Sequence, residues 1–105
     1  MNSRIEQLLE FIADDPKDVF STYALGLEYW NLNQLEEAKT TFLKVLEIDA
    51  NYLAVYYHFG KVLQALGELE AAHQCFIDGI EVAKSQNNTK TRAELMTAID
   101  ELEDL

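Results

Sequence analysis

The chain has 105 residues, 49% of them apolar, with a single proline and four glycines; that is one small domain's worth of sequence, and it suits long helices better than a turn-rich sheet sandwich. Nineteen acidic against eight basic residues give a net charge of −11. That charge argues against nucleic acid and against anionic membrane surfaces, both of which would repel it.

Taken in chain order, residues 3–14 predict an opening helix. Leu8, Phe11 and Ile12 mark its apolar face, and Ser3 with Glu6 reads as a capping box at its start. The same stretch lacks the layout of a signal peptide. Asp15 then reads as the cap of the next helix, with Pro16 at that helix's first position.

Residues 19–52 and 53–86 follow as two units written in nearly the same letters. Laid side by side without a gap, they share Tyr23/Tyr57, Gly26/Gly60, Leu32/Leu66, Leu35/Leu69, Glu36/Glu70, Ala38/Ala72, Phe42/Phe76 and Glu47/Glu81. Average composition would give roughly two such matches. Each unit reads as two helices joined by a short turn. Thr22, Leu25, Gly26 and Tyr29 fall at helical spacing in the first half, and Ala38, Phe42, Val45 and Leu46 in the second. In the turn of the first unit, Asn33 and Glu36 read as a capping box. In the second, Gly67 supplies backbone angles that other residues avoid. Gly26, Ala38, Gly60 and Ala72 are read as small residues that let two helices approach closely.

This pattern resembles the tetratricopeptide repeat: an aromatic, then Leu-Gly and Tyr at helical spacing, then Ala and Phe four apart, then Pro. The first unit offers Thr22, Leu25-Gly26 and Tyr29, then Ala38 and Phe42. The second offers Tyr56, Phe59-Gly60 and Leu63, then Ala72 and Phe76. The departures are Thr22, Leu63, Gly79 where a small alanine is usual, and Ala50 and Lys84 where proline is usual. Pro16 sits at the closing proline position of a preceding unit, so residues 3–14 read as half a repeat. The resemblance implies an all-α superhelical stack of about six helices in one domain. Leu25, Gly26, Ala38, Phe42, Phe59, Gly60, Ala72 and Phe76 are then its packing positions.

After Gln86 the period slips through the polar "SQNNTKT". Residues 89–105 read as a closing helix with an apolar stripe of Ala93, Leu95, Met96, Ile99, Leu102 and Leu105. Thr91 and Glu94 are read as its cap, and Asp100, Glu101, Glu103 and Asp104 as its polar outer face.

No catalytic constellation stands out. His73 and Cys75 lie two apart on a helix and so face different ways, and His58 lies on the neighbouring helix. No phosphate loop or nucleophile motif is present. Lone Cys75 allows no internal disulfide, and no apolar run approaches the ~20 residues of a membrane span. The expectation is a cytoplasmic, non-enzymatic protein without cofactor or metal. The Asn87–Thr89 sequon carries nothing without secretion.

In the family it resembles, the first helices of successive units line a concave groove that holds peptides. Carried onto this chain, the groove positions are Phe20, Tyr23, Leu27, Trp30 and Asn31, then Tyr57, Lys61, Gln64 and Ala65. An alternative for Phe20 and Tyr23 is packing on the opening helix. Tyr23, Leu27 and His58 stand where one subset of the family carries a basic clamp for acidic C-termini, which argues against that ligand. A partner segment with apolar anchors and basic flanks suits the strip better, such as an amphipathic helix. The alternative is a homodimer through this strip or through Leu95, Ile99 and Leu102.

Overall fold

A computed structural model describes residues 3–105. Its described residues form six α-helices and no strand: α1 (Ser3–Asp14), α2 (Val19–Asn31), α3 (Leu35–Ile48), α4 (Ala54–Ala65), α5 (Leu69–Ser85) and α6 (Thr89–Glu103). They gather into two compact units, one ending at Ala50 and the other beginning at Asn51.

In the first unit α2 packs against both α1 and α3. Leu8, Leu25, Ala38, Phe42 and Val45 are buried there, as is Gly26. A Cβ added to Gly26 would lie 2.5 Å from Cδ1 of fully buried Phe42. The phenylalanine ring thus occupies the space that any other residue on α2 would need. In the second unit α5 packs against α4 and α6, and α4 also touches α6. Here Phe76 repeats the arrangement: a Cβ on Gly60 would stand 2.6 Å from its Cδ1. The unit's core adds Val55, Tyr56, Phe59, Val62, Leu63, Ala72, Ala83, Leu95, Ala98 and Leu102.

Gly79, a departure from the family pattern, has a steric reason. A Cβ there would meet Cβ of Tyr56 at 2.6 Å and Cδ1 of Leu95 at 3.0 Å. The glycine lets α5 take a bulky tyrosine from α4 and a leucine from α6 at one point.

Helix ends differ from the sequence reading in three places. Asn33 does not cap α3; it sits at φ 59°, beyond the end of α2. The amide of Gln34 donates to the carbonyl of Tyr29 at 2.9 Å, closing α2 with a left-handed stop. Gly67 at φ 79° does the same for α4, and Asn87 at φ 56° for α5. Asparagine is among the few side-chain-bearing residues that tolerate this conformation, which is why it serves where the second unit has glycine.

Asp15 and Pro16 form a turn ahead of α2 rather than its first residues. Asp18 is the cap: its carboxylate accepts from the Ser21 amide at 3.0 Å and from the Ser21 hydroxyl at 2.6 Å. Asn88, not Thr91, caps α6, with its side-chain oxygen accepting from the Thr91 amide at 2.9 Å. Ser3 is the first described residue of α1, and the capping reading at that end borders residues outside those described.

Two outcomes follow. Replacing a mid-helix glycine by alanine ordinarily gains up to ~1 kcal/mol of helix propensity. Gly26→Ala, Gly60→Ala and Gly79→Ala should instead each lose about 1–3 kcal/mol in urea denaturation, because the added carbon overpacks the core. The hydrogen bonds from Ser21, its hydroxyl first, hold the Asp18 carboxyl below its ordinary range. A depressed folded-state value stabilises the fold above the unfolded value of about 3.9 and is lost as pH falls through the folded one. The melting-temperature deficit of Asp18→Ala should therefore be full at neutral pH and shrink below about pH 4.

Candidate functional site

The expected binding residues lie on the first helix of each repeat, α2 in the first unit and α4 in the second. On α2, Phe20, Tyr23, Leu27 and Trp30 recur at intervals of three and four and share one face. Phe20 is 64% exposed, so packing on α1 does not cover it. Tyr23, Leu27 and Trp30 are half-buried, and Asn31 is exposed at the end of the helix. Tyr23 tilts over Phe42, with ring centroids 6.1 Å apart.

On α4, Tyr57, Lys61 and Gln64 are half-buried at the same spacing, and Ala65 is exposed at its last position. The Tyr57 ring centroid lies 6.5 Å from that of Phe76, a pairing like that of Tyr23 with Phe42, and His58 meets Tyr57 edge-on at 5.6 Å. The repeated tyrosines therefore have two roles available. One side of each packs on the buried phenylalanine, which explains their recurrence, while the residue stays partly open.

The second unit also contributes two residues that the sequence reading assigned elsewhere, Glu94 and Glu101, and two that it left without a role, Thr97 and Ala98. Glu94, Thr97, Ala98 and Glu101 of α6 line a cleft of about 170 Å³ with Tyr57. Lys61 Nζ reaches Glu101 Oε2 at 3.7 Å and lies 5.6 Å from the centroid of the Tyr57 ring. Glu101 is exposed, as a polar outer face requires, and it also reaches Lys61 of α4. Glu94, Thr97 and Glu101 each sit one place before a buried residue of α6, namely Leu95, Ala98 and Leu102. They therefore rim the face that α6 turns inward. That burial also removes the expected self-association stripe, since Leu95 and Leu102 belong to the core of this unit. Met96 and Leu105 remain exposed.

Chemistry elsewhere is sparse. Among the described residues no three His, Cys, Asp or Glu side chains gather to hold a metal ion. His58 Nδ1 lies 3.3 Å from the carbonyl of Ala54 on its own helix. Cys75 is buried and its thiol donates to the Tyr56 carbonyl at 3.4 Å. Burial first, then the nearby Asp78 carboxylate, pushes that thiol up to about 12, so it is no nucleophile. A larger open cleft of about 330 Å³, lined by Tyr29, Glu36, Glu37, Thr40 and Thr41, lies in the first unit and includes none of the expected groove residues.

The family model described as "Tetratricopeptide repeat" matches residues 21–52 and 53–86. The chain belongs to the tetratricopeptide repeat family. A tetratricopeptide repeat domain protein of Salinibacter ruber, solved by NMR, is 34% identical to it with a TM-score of 0.80, covering 87% of this chain and 92% of that one. A TPR repeat-containing protein of Pseudomonas aeruginosa is 25% identical over 99 residues, 94% of each chain. The TPR2B domain of yeast Sti1, solved in complex with pHsp70, shares the fold at a TM-score of 0.90. It does so with only 18% identity, over 95% of this chain and 80% of that chain. The two matched repeats coincide with the helix pairs α2/α3 and α4/α5. Among the described residues, no helix of this tetratricopeptide repeat protein is long and apolar enough to cross a membrane.

Gln64 carries the remaining anomaly of the site. Its Oε1 is buried without a hydrogen-bond partner. An orphaned acceptor costs roughly 1–3 kcal/mol. Gln64→Met, which keeps the volume and removes the acceptor, should raise stability by about 1 kcal/mol, read as a higher urea midpoint at unchanged slope.

Proposed function

We propose that this protein is a non-catalytic protein–protein interaction module. In this reading the open face of α2 in the first unit, and that of α4 in the second, are each a surface for a partner segment with apolar anchors and basic flanks. The observation that carries it is the α2 strip: an exposed phenylalanine continued by half-open Tyr23, Leu27 and Trp30 on one helix face. Aromatic side chains left open to water at regular spacing are where binding energy concentrates. The net charge of −11 favours a cationic partner. The yeast TPR2B domain was solved in complex with pHsp70, which supports the fold as a holder of partners. The side chains that would grip an acidic terminus are absent from the matching positions here: Tyr23, Leu27 and His58 stand there instead.

An adaptor of this kind needs no cofactor, and the buried, reduced Cys75 suits the cytoplasm. The test is a double variant, Phe20→Ala with Trp30→Ala. Circular dichroism should show an unchanged helical fold, while partners recovered from the native organism by affinity capture and mass spectrometry should be lost. Recovery of the same partners at the same yield by the folded variant would sink the reading.

A further inference from the structure

The cleft between α4 and α6 already displays the chemistry of the group it would accept. Lys61 is a resident cation: its ammonium stands 3.7 Å from Glu101 Oε2 and 5.6 Å from the centroid of the Tyr57 ring. A carboxylate beside an aromatic face is a favourable setting for a positive charge. The cleft holds a second carboxylate, Glu94, which has no ion-pair partner among the described residues. Two carboxylates against one ammonium leave the lining with one uncompensated negative charge. Thr97 lies between the two glutamates in the sequence and adds a hydroxyl that can accept a hydrogen bond. At about 170 Å³ the space is below the ~300 Å³ of ordinary small-molecule pockets. It suits the end of one side chain.

We infer that this cleft receives a lysine or arginine side chain from a partner segment, with Glu94 as its counter-ion and Tyr57 as its aromatic wall. The inference rests on the reading that α4 faces a bound partner, and it deepens that reading by naming one anchor. It also makes α6 part of the recognition surface for a partner segment, where the sequence offered a closing helix or a self-association stripe. Lys61 then acts as an internal competitor: it screens Glu101 and shares the Tyr57 face, so it holds down the affinity for a basic segment.

The test titrates the ¹⁵N-labelled full chain with two blocked amphipathic peptides that share the same leucine anchors. One carries arginines on its flanks and the other glutamates. The arginine peptide should shift the amide signals of α4 and α6 around Tyr57, Glu94 and Ala98, and should bind more weakly as salt is raised. Glu94→Gln should weaken it by about fivefold, the size of one exposed charge pair. Lys61→Met should strengthen it, an effect that a purely structural role for Lys61 would not produce. Unchanged arginine-peptide affinity in both variants, or shifts that avoid α6, would overturn the cleft while leaving the open faces of α2 and α4 as binding surfaces. Binding of neither peptide would remove both readings. Signal shifts on raising the protein concentration alone would assign the cleft to a second copy of the chain, and so would also overturn it.

Discussion

Two helices can lie close enough to share a backbone-to-ring contact only where one of them has no side chain in the way. Gly26 and Gly60 provide that gap, and the fully buried rings of Phe42 and Phe76 fill it. Much else in each repeat depends on this contact. Ala38 and Ala72, both fully buried, keep the facing helix equally slim one turn earlier. The turn between the helices must then bring the chain back within a few residues. It does so through one left-handed residue, Asn33 in one repeat and Gly67 in the other. Tyr23 and Tyr57 lean on the same phenylalanines. A single packed ring therefore accounts for four of the recurring positions.

The second unit shows how the same rule extends to a third helix. Gly79 on α5 accommodates both Tyr56 and Leu95, so α4 and α6 converge on the glycine. By motif alone Gly79 is a weakening of the family pattern. In the folded chain it is a consequence of using large residues on both neighbours. The contact that follows brings α6 beside α4 and builds the cleft lined by Tyr57 and the two glutamates. Packing and recognition are thereby linked: the residue that admits Leu95 also sets Glu94 and Glu101 at the rim.

The acidic character of the chain takes on a local meaning in this setting. Most of the nineteen acidic residues lie on solvated helix faces, where exposed charges contribute little to stability and mainly set solubility and steering. Glu94 and Glu101 differ because a ring and a lysine confront them. Gln64, on the same face of α4 as Tyr57 and Lys61, keeps an acceptor out of water with no partner. An unsatisfied polar atom in such a strip is a cost to the fold, of the kind that binding surfaces tolerate more readily than cores do.

The repeat, the helix pairs, the family and the small residues at the close contacts were all legible in the letters. They are local or strictly periodic, and an intrinsic period of 34 residues leaves its mark on every position that packs. The exposed strip on α2 was legible for the same reason, since helical spacing places Phe20, Tyr23, Leu27 and Trp30 on one face without reference to anything else. Helix starts were misread at Asn33, Asp15 and Thr91, because several asparagines, aspartates and threonines near each boundary satisfy the same local rule. Which of them caps and which stops a helix depends on where the backbone turns. The α6 rim and the pairing of Lys61 with Glu101 were beyond sequence reasoning altogether. They join residues forty positions apart in a stretch where the period has slipped, and only the packing of α6 against α4 and α5 decides which of its faces turns inward.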